Sequence, residues 1–163
     1  ITKKTTTAQI RAYVFVKPYA WVNNVFENKR FNTTIGIRNG GQSPAAEMAL
    51  NFDLAVRKEA PENSPGAFAS TTSRSVESVL DPSTELSGVG TINSEGVITR
   101  NELAAIVGGQ DRKIFVWGVA TYIDVFGAKH HSYFCFHYYG REPSVDGGMG
   151  SRHRGSCPHP SPD

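Results

Sequence analysis

Two cysteines, two methionines and two tryptophans are all that a chain of 163 residues holds of these types, and no apolar run approaches the length of a membrane-crossing helix. The longest candidate, Ile114 to Ile123, is interrupted by Gly118 and Thr121 and falls short of the roughly 18 consecutive apolar residues that a span requires. The chain as given is therefore expected to be water-soluble. Charge of one sign is lacking too: 17 basic and 15 acidic side chains leave a formal net charge of +2, which gives no electrostatic footprint for nucleic acid. Cys135 and Cys157 permit one disulfide in an oxidising compartment, and equally fit two buried or tail thiols. A length of 163 residues suits one domain with tails.

What is present is β-rich. Residues 1–10 form a polar, Thr-rich lead-in without apolar periodicity. RAYVFV, from Arg11, reads as a first strand stopped by Pro18, which cannot donate to a continuing ladder and marks an edge or exit. FNTTIGIRN sets Phe31, Thr33, Ile35 and Ile37 on one face of a second strand, and NGGQSP supplies the turn after it. From Ala46 to Val56, the residues Ala46, Met48, Leu50, Phe52, Leu54 and Val56 alternate with smaller or polar neighbours. Helical spacing would scatter these six around the axis, so the period decides for a strand despite the helix-forming composition.

Residues 59–75 carry Pro, Gly, Ser and Asn throughout and are expected to form a long loop without strand. Short β segments follow at Val76–Leu80 and Glu85–Ile92. Thr99-Arg-Asn-Glu102 is a capping box, in which hydroxyl and carboxylate satisfy backbone donors reciprocally. It starts the one short helix, which Gly108-Gly109 ends. KIFVWGVATYI and HSYFCFHYY, joined by DVFGAKH, predict an antiparallel hairpin that is apolar on both faces and central to the core. Residues 141–163, with almost no large apolar side chain, are expected to be a Gly/Ser/Pro/His-rich tail. The fold expected for 11–140 is an immunoglobulin-like antiparallel β-sandwich of about seven strands with one short helix.

Candidate chemistry is sparse. Imidazoles and thiols gather at His130, His131, Cys135 and His137, and again at His153, Cys157 and His159, the residue types that bind zinc or copper. On a strand, His131 lies about 13 Å from Cys135 at about 3.3 Å per residue, so only Cys135 with His137 is close enough to share a metal. The tail pair Cys157 and His159, with His153, follows no known zinc spacing. Cys135 beside His137 also allows only a loose version of a nucleophile pair, and a buried, inert cysteine is the plainer reading. The carboxylates are scattered, and Asp124 at the hairpin turn fits an Asx-turn, with calcium binding as the lesser alternative. The Gly-rich pieces lack the context of a phosphate cradle. No cofactor and no catalytic residue is assigned.

RAYVFV, IRNGGQSPA and VWGVATYIDVFGAKHHSYFCFHY together resemble a group of uncharacterised, mostly proteobacterial proteins with a membrane-anchored β-sandwich domain. The likeness runs from about Arg11 to Tyr138, and Tyr122, Asp124, Phe126, Gly127, Phe134 and Cys135 match its closing Tyr-x-Asp-x-Phe-Gly…Phe-Cys hairpin. The resemblance implies a membrane helix before residue 1 and a small sandwich outside the cytoplasm, without an established activity. The chain starts at Ile1, which is consistent with processing or trimming.

The expectation is a non-enzymatic, membrane-associated domain of the cell envelope that docks on another protein, as an accessory subunit of a larger complex. Docking would use an aromatic strand face carrying Trp117, Tyr133 and Tyr139, or the 59–75 loop. The alternative is a metal- or small-ligand-binding module built on Cys135, His137 and the tail.

Overall fold

The computed structural model describes residues 10–61, 73–76, 79–109 and 111–150. Among these residues the named elements are eight strands and one helix, in the order β1 (Val14–Asn23), β2 (Asn32–Asn39), β3 (Ala46–Arg57), β4 (Ser73–Val76), β5 (Glu85–Asn93), α1 (Arg100–Gly108), β6 (Lys113–Ile123), β7 (Lys129–Tyr138) and β8 (Met149–Gly150). They form two four-stranded sheets, β5-β2-β1-β8 and β4-β3-β6-β7, and every pairing between named strands is antiparallel. The protein is a mainly β, two-sheet sandwich.

Strand periodicity accounts for the core. Met48, Leu50, Phe52 and Leu54 of β3 are buried, every second residue on one face. Leu50, Phe52 and Leu54 meet Ile35 of β2 with Ile114, Val116, Phe134 and Tyr138 of the closing hairpin, and Met48 joins a second cluster with Val14, Ile37 and Tyr122. Each such side chain contributes about 1.5–3 kcal/mol on full burial. Burial also pushes the Tyr138 phenol up to about 12, because a phenolate has no water to solvate it there. β6 is buried without interruption from Ile114 to Ala120, as its apolar faces predict. Gly118 lets it lie close to β3: a Cβ there would stand 2.1 Å from the Asn51 carbonyl oxygen.

The capping box forms as the sequence predicts. The Glu102 amide donates to Thr99 Oγ1 at 3.2 Å and the Thr99 amide donates to Glu102 Oε2 at 3.0 Å. Gly109 then closes α1 in the left-handed region at φ 66°.

Side chains lace one flank of the sandwich. Tyr122 Oη donates to the Ala12 carbonyl at 3.2 Å and Ser132 Oγ to the Val14 carbonyl at 2.6 Å, joining the β6–β7 hairpin to the start of β1. Asn39, fully buried, does the same for the loops. Its Nδ2 donates to the Ser43 and Leu80 carbonyls, and its Oδ1 accepts from the Gly41 and Tyr13 amides.

Three expectations need correction. β1 does not stop at Pro18, which pairs with Ile35. The strand runs through the proline, and its ladder with β2 shifts register between Pro18 and Val22, the kind of irregularity at which a missing strand donor is tolerated. The segment read as loop to residue 75 contains β4, whose Ser73–Val76 pairs with Met48–Asn51; residues 62–72 lie outside the described residues. Residues 141–150 are not tail. Met149 is fully buried in the core, β8 pairs with β1, and a turn at Ser144–Gly148 carries the chain there.

Candidate functional site

The outer face of β7 carries His131, Tyr133, Cys135 and His137, opposite Thr121, Val119, Trp117 and Phe115 of β6. Cys135 is fully buried and disulfide-bonded; Cys157 is the chain's other cysteine. A disulfide sulfur has neither the thiolate that ligates a metal nor the one that attacks a substrate, so in this state Cys135 cannot fill either role considered for it. The His137 ring stands edge-on to Phe115 at 6.0 Å and packs against Tyr139 at 5.3 Å, while His131 stacks on Tyr133 at 6.3 Å. Among the described residues, no three His, Cys, Asp or Glu side chains gather as metal ligands. His153, Cys157 and His159 lie outside the described residues.

The aromatic strand face is less open than expected. Trp117 is only 6% exposed and clusters with Phe115 and Cys135, flanked by Ala55, Ala60 and Tyr133, and the Arg57 guanidinium lies 5.6 Å from its ring. Trp117 is therefore packing rather than display, a correction to its reading as a docking residue. Tyr133 and Tyr139 are half-buried, Tyr139 beneath the Lys113 ammonium at 4.4 Å.

The most heavily hydrogen-bonded acid sits in the β6–β7 turn. Asp124 is buried; its Oδ1 accepts from the Phe126 and Ala128 amides, and its Oδ2 lies 2.6 Å from His130 Nε2. Tyr122 lies against the His130 ring at 5.2 Å. The Asx-turn predicted at Asp124 is thus formed, and His130 is recruited to it. Burial raises the Asp124 pKa, but the hydrogen bonds from His130, Ala128 and Phe126 and the His130 charge outweigh it and hold the carboxyl below its usual range. At the tip of this pinned turn, Val125 and Phe126 are 53% and 54% exposed.

A second feature was not foreseen. A surface cleft of about 280 Å³ opens between β3 at Asp53–Val56, the turn after β5 at Ser94–Val97, and the first turn of α1. Phe31 and Val97 give it apolar walls, and Asp53, Glu95 and Glu102 bring carboxylates. Its sequence signal is diffuse, because the three acids come from different elements.

Comparison with known protein families, curated proteins and solved structures finds no match for this chain. No helix of the described residues is long and apolar enough to cross a membrane.

Proposed function

We propose that this chain is an extracytoplasmic, non-enzymatic docking domain of the cell envelope, an accessory subunit that binds a membrane-associated protein through the β6–β7 hairpin tip. The observation that carries this reading is the presentation of Val125 and Phe126. Two adjacent apolar side chains stand in water on a turn that a buried carboxylate fixes through two backbone amides and an imidazole. Fixing the backbone in advance lowers the entropic cost of docking, and an exposed aromatic supplies the anchor that interface cores favour.

Two further observations support it. The disulfide at Cys135 fits an oxidising compartment rather than the cytosol. The topology fits an immunoglobulin-like sandwich: naming the strands A, B, C, C′, E, F and G in chain order makes the sheets A-B-E and C′-C-F-G, with β8 added beside the first strand. Such sandwiches commonly serve as cell-surface domains, with loops clustered at their ends. The buried polar groups at Asn39, Asp124 and Tyr122 are engaged in holding segments together.

The test is cross-linking and co-purification of an anchored form from native envelopes. One dominant protein partner is expected, lost when Val125 and Phe126 are both replaced by Ser. A chain that purifies alone at native levels overturns the docking reading.

A further inference from the structure

The side chain that ties Asn39 into the fold is also a chemical weak point. Asn39-Gly40 is the only Asn-Gly pair in the sequence, and glycine, without a Cβ, leaves its amide nitrogen unshielded. In a freely moving chain that nitrogen can attack Asn39 Cγ. A new N–C bond forms, the Cγ–Nδ2 bond breaks, the Gly40 amide proton leaves with Nδ2 as ammonia, and a five-membered succinimide closes. Water then adds to either ring carbonyl and opens it to aspartate or isoaspartate. The fold blocks each of these movements. Ring closure requires the peptide between Asn39 and Gly40 to rotate against the Asn39 side chain, yet that peptide is fixed at both polar ends. Its carbonyl accepts from the Ser83 amide at 2.9 Å, and its N–H donates to the Tyr13 carbonyl at 2.8 Å. Asn39 Nδ2 is held by the Ser43 and Leu80 carbonyls at 2.7 and 3.0 Å, and Oδ1 by the Gly41 and Tyr13 amides at 2.9 and 3.2 Å. Complete burial of Asn39 also excludes the water that the second step consumes.

We infer that Asn39 is a modification site gated by the fold: protected from deamidation in the native chain, opened by unfolding, and barring the return once it has reacted. Either product prevents refolding to the same structure. Aspartate at position 39 has no donor for the Ser43 and Leu80 carbonyls, and its buried charge faces them unpaired. Isoaspartate also lengthens the backbone by one methylene, at the end of β2 where Asn39 pairs with Val14. An excursion to the unfolded state is therefore reversible only while Asn39 keeps its amide. The time spent unfolded, and not the folding equilibrium alone, then sets the working life of the domain. The site lies in the interior and stands independently of the docking role proposed for the hairpin tip.

The full-length, oxidised chain is held in mildly alkaline buffer with and without unfolding urea, and deamidation is followed at each Asn by peptide mapping and mass spectrometry. Conversion at Asn39 is expected to be the fastest of any Asn in urea and at least about a hundredfold slower in native buffer, where a buried core site reacts only through rare openings. On dilution from urea, the unconverted fraction should regain the native thermal midpoint and the converted fraction should not. Gly40→Ala separates this chemistry from aggregation. Its added Cβ meets the Phe15 ring, which is 55% exposed and free to turn aside, so the variant keeps the Asn39 bonds while hindering the attack. Held in urea for the same time, Gly40→Ala should retain its ability to refold at least about tenfold longer than the wild type. Equal conversion of Asn39 in native buffer and in urea overturns the proposal, as does a deamidated chain that refolds with an unchanged midpoint. Loss of refolding at the same rate in wild type and Gly40→Ala also overturns it.

Discussion

Asp124 Oδ2 lies 2.6 Å from His130 Nε2, while Oδ1 of the same carboxylate accepts from the Phe126 and Ala128 amides. Burial raises the Asp124 pKa, and these hydrogen bonds with the His130 charge lower it further than burial raises it. A carboxyl whose pKa is depressed on folding contributes stability that is complete above the unfolded value of about 3.9 and is lost as pH falls through the folded value. The urea midpoint of the wild type is therefore expected to drop as pH descends below about 4. In Asp124→Asn that drop should be shallower and the midpoint at neutral pH lower. Parallel profiles for the two proteins would contradict this account.

Asn39 joins three segments with one amide, its donors on Ser43 and Leu80 and its acceptor on Gly41 and Tyr13. Asn39→Asp replaces both donors with a buried charge facing two carbonyls, and is expected to cost about 3 kcal/mol or more. Asn93→Asp, at an exposed position, should remain within about 0.5 kcal/mol of wild type. Chemical denaturation of the two variants checks the contrast.

Gly118→Ala should be among the most damaging single-methyl additions in this chain, because the new Cβ would stand 2.1 Å from the Asn51 oxygen and 2.7 Å from the Phe52 Cα. Backbone cannot step aside as a side-chain tip can, so a loss of about 3 kcal/mol is expected. Gly96→Ala, with nothing within 4 Å of its added Cβ, should leave the thermal midpoint nearly unchanged. Similar midpoints for both variants would show that β6 can move away from β3.

Cys135 is disulfide-bonded beneath the outer face of β7. Removing a native disulfide from a small secreted domain typically costs about 2–5 kcal/mol, so reductant should lower the thermal midpoint substantially. Cys135→Ser and Cys157→Ser should each reproduce that loss. Intact mass under non-reducing conditions should be lighter by two hydrogens than after reduction; equal masses would remove the prediction.

Wherever burial on one face imposes a period, the sequence was readable. β3 is the clearest case, since Met48, Leu50, Phe52 and Leu54 are buried in strict alternation. The capping box is another, because a four-residue pattern contains all its own bonds. What stayed hidden depends on partners far along the chain. Ser73–Val76 is a strand only because Met48–Asn51 lies beside it. Met149 looked like part of a polar tail, yet one apolar side chain was enough to bring β8 into the core. Pro18 reads as the end of β1 by its missing donor, yet the strand runs through it, paired with Ile35. At the site level, Asp124 was legible as a turn residue, but its link to His130 required the hairpin register. The cleft acids at Asp53, Glu95 and Glu102 become neighbours only in the folded chain.

The seam formed by Tyr122 on Ala12 and Ser132 on Val14 has a mechanical meaning. Traction along β1 from its Ala12 end would load these cross-layer bonds together with the β2 ladder in shear, so they must yield as a group instead of unzipping one after another. A domain tethered from that side would hold its shape under tension, with the laced flank taking the strain.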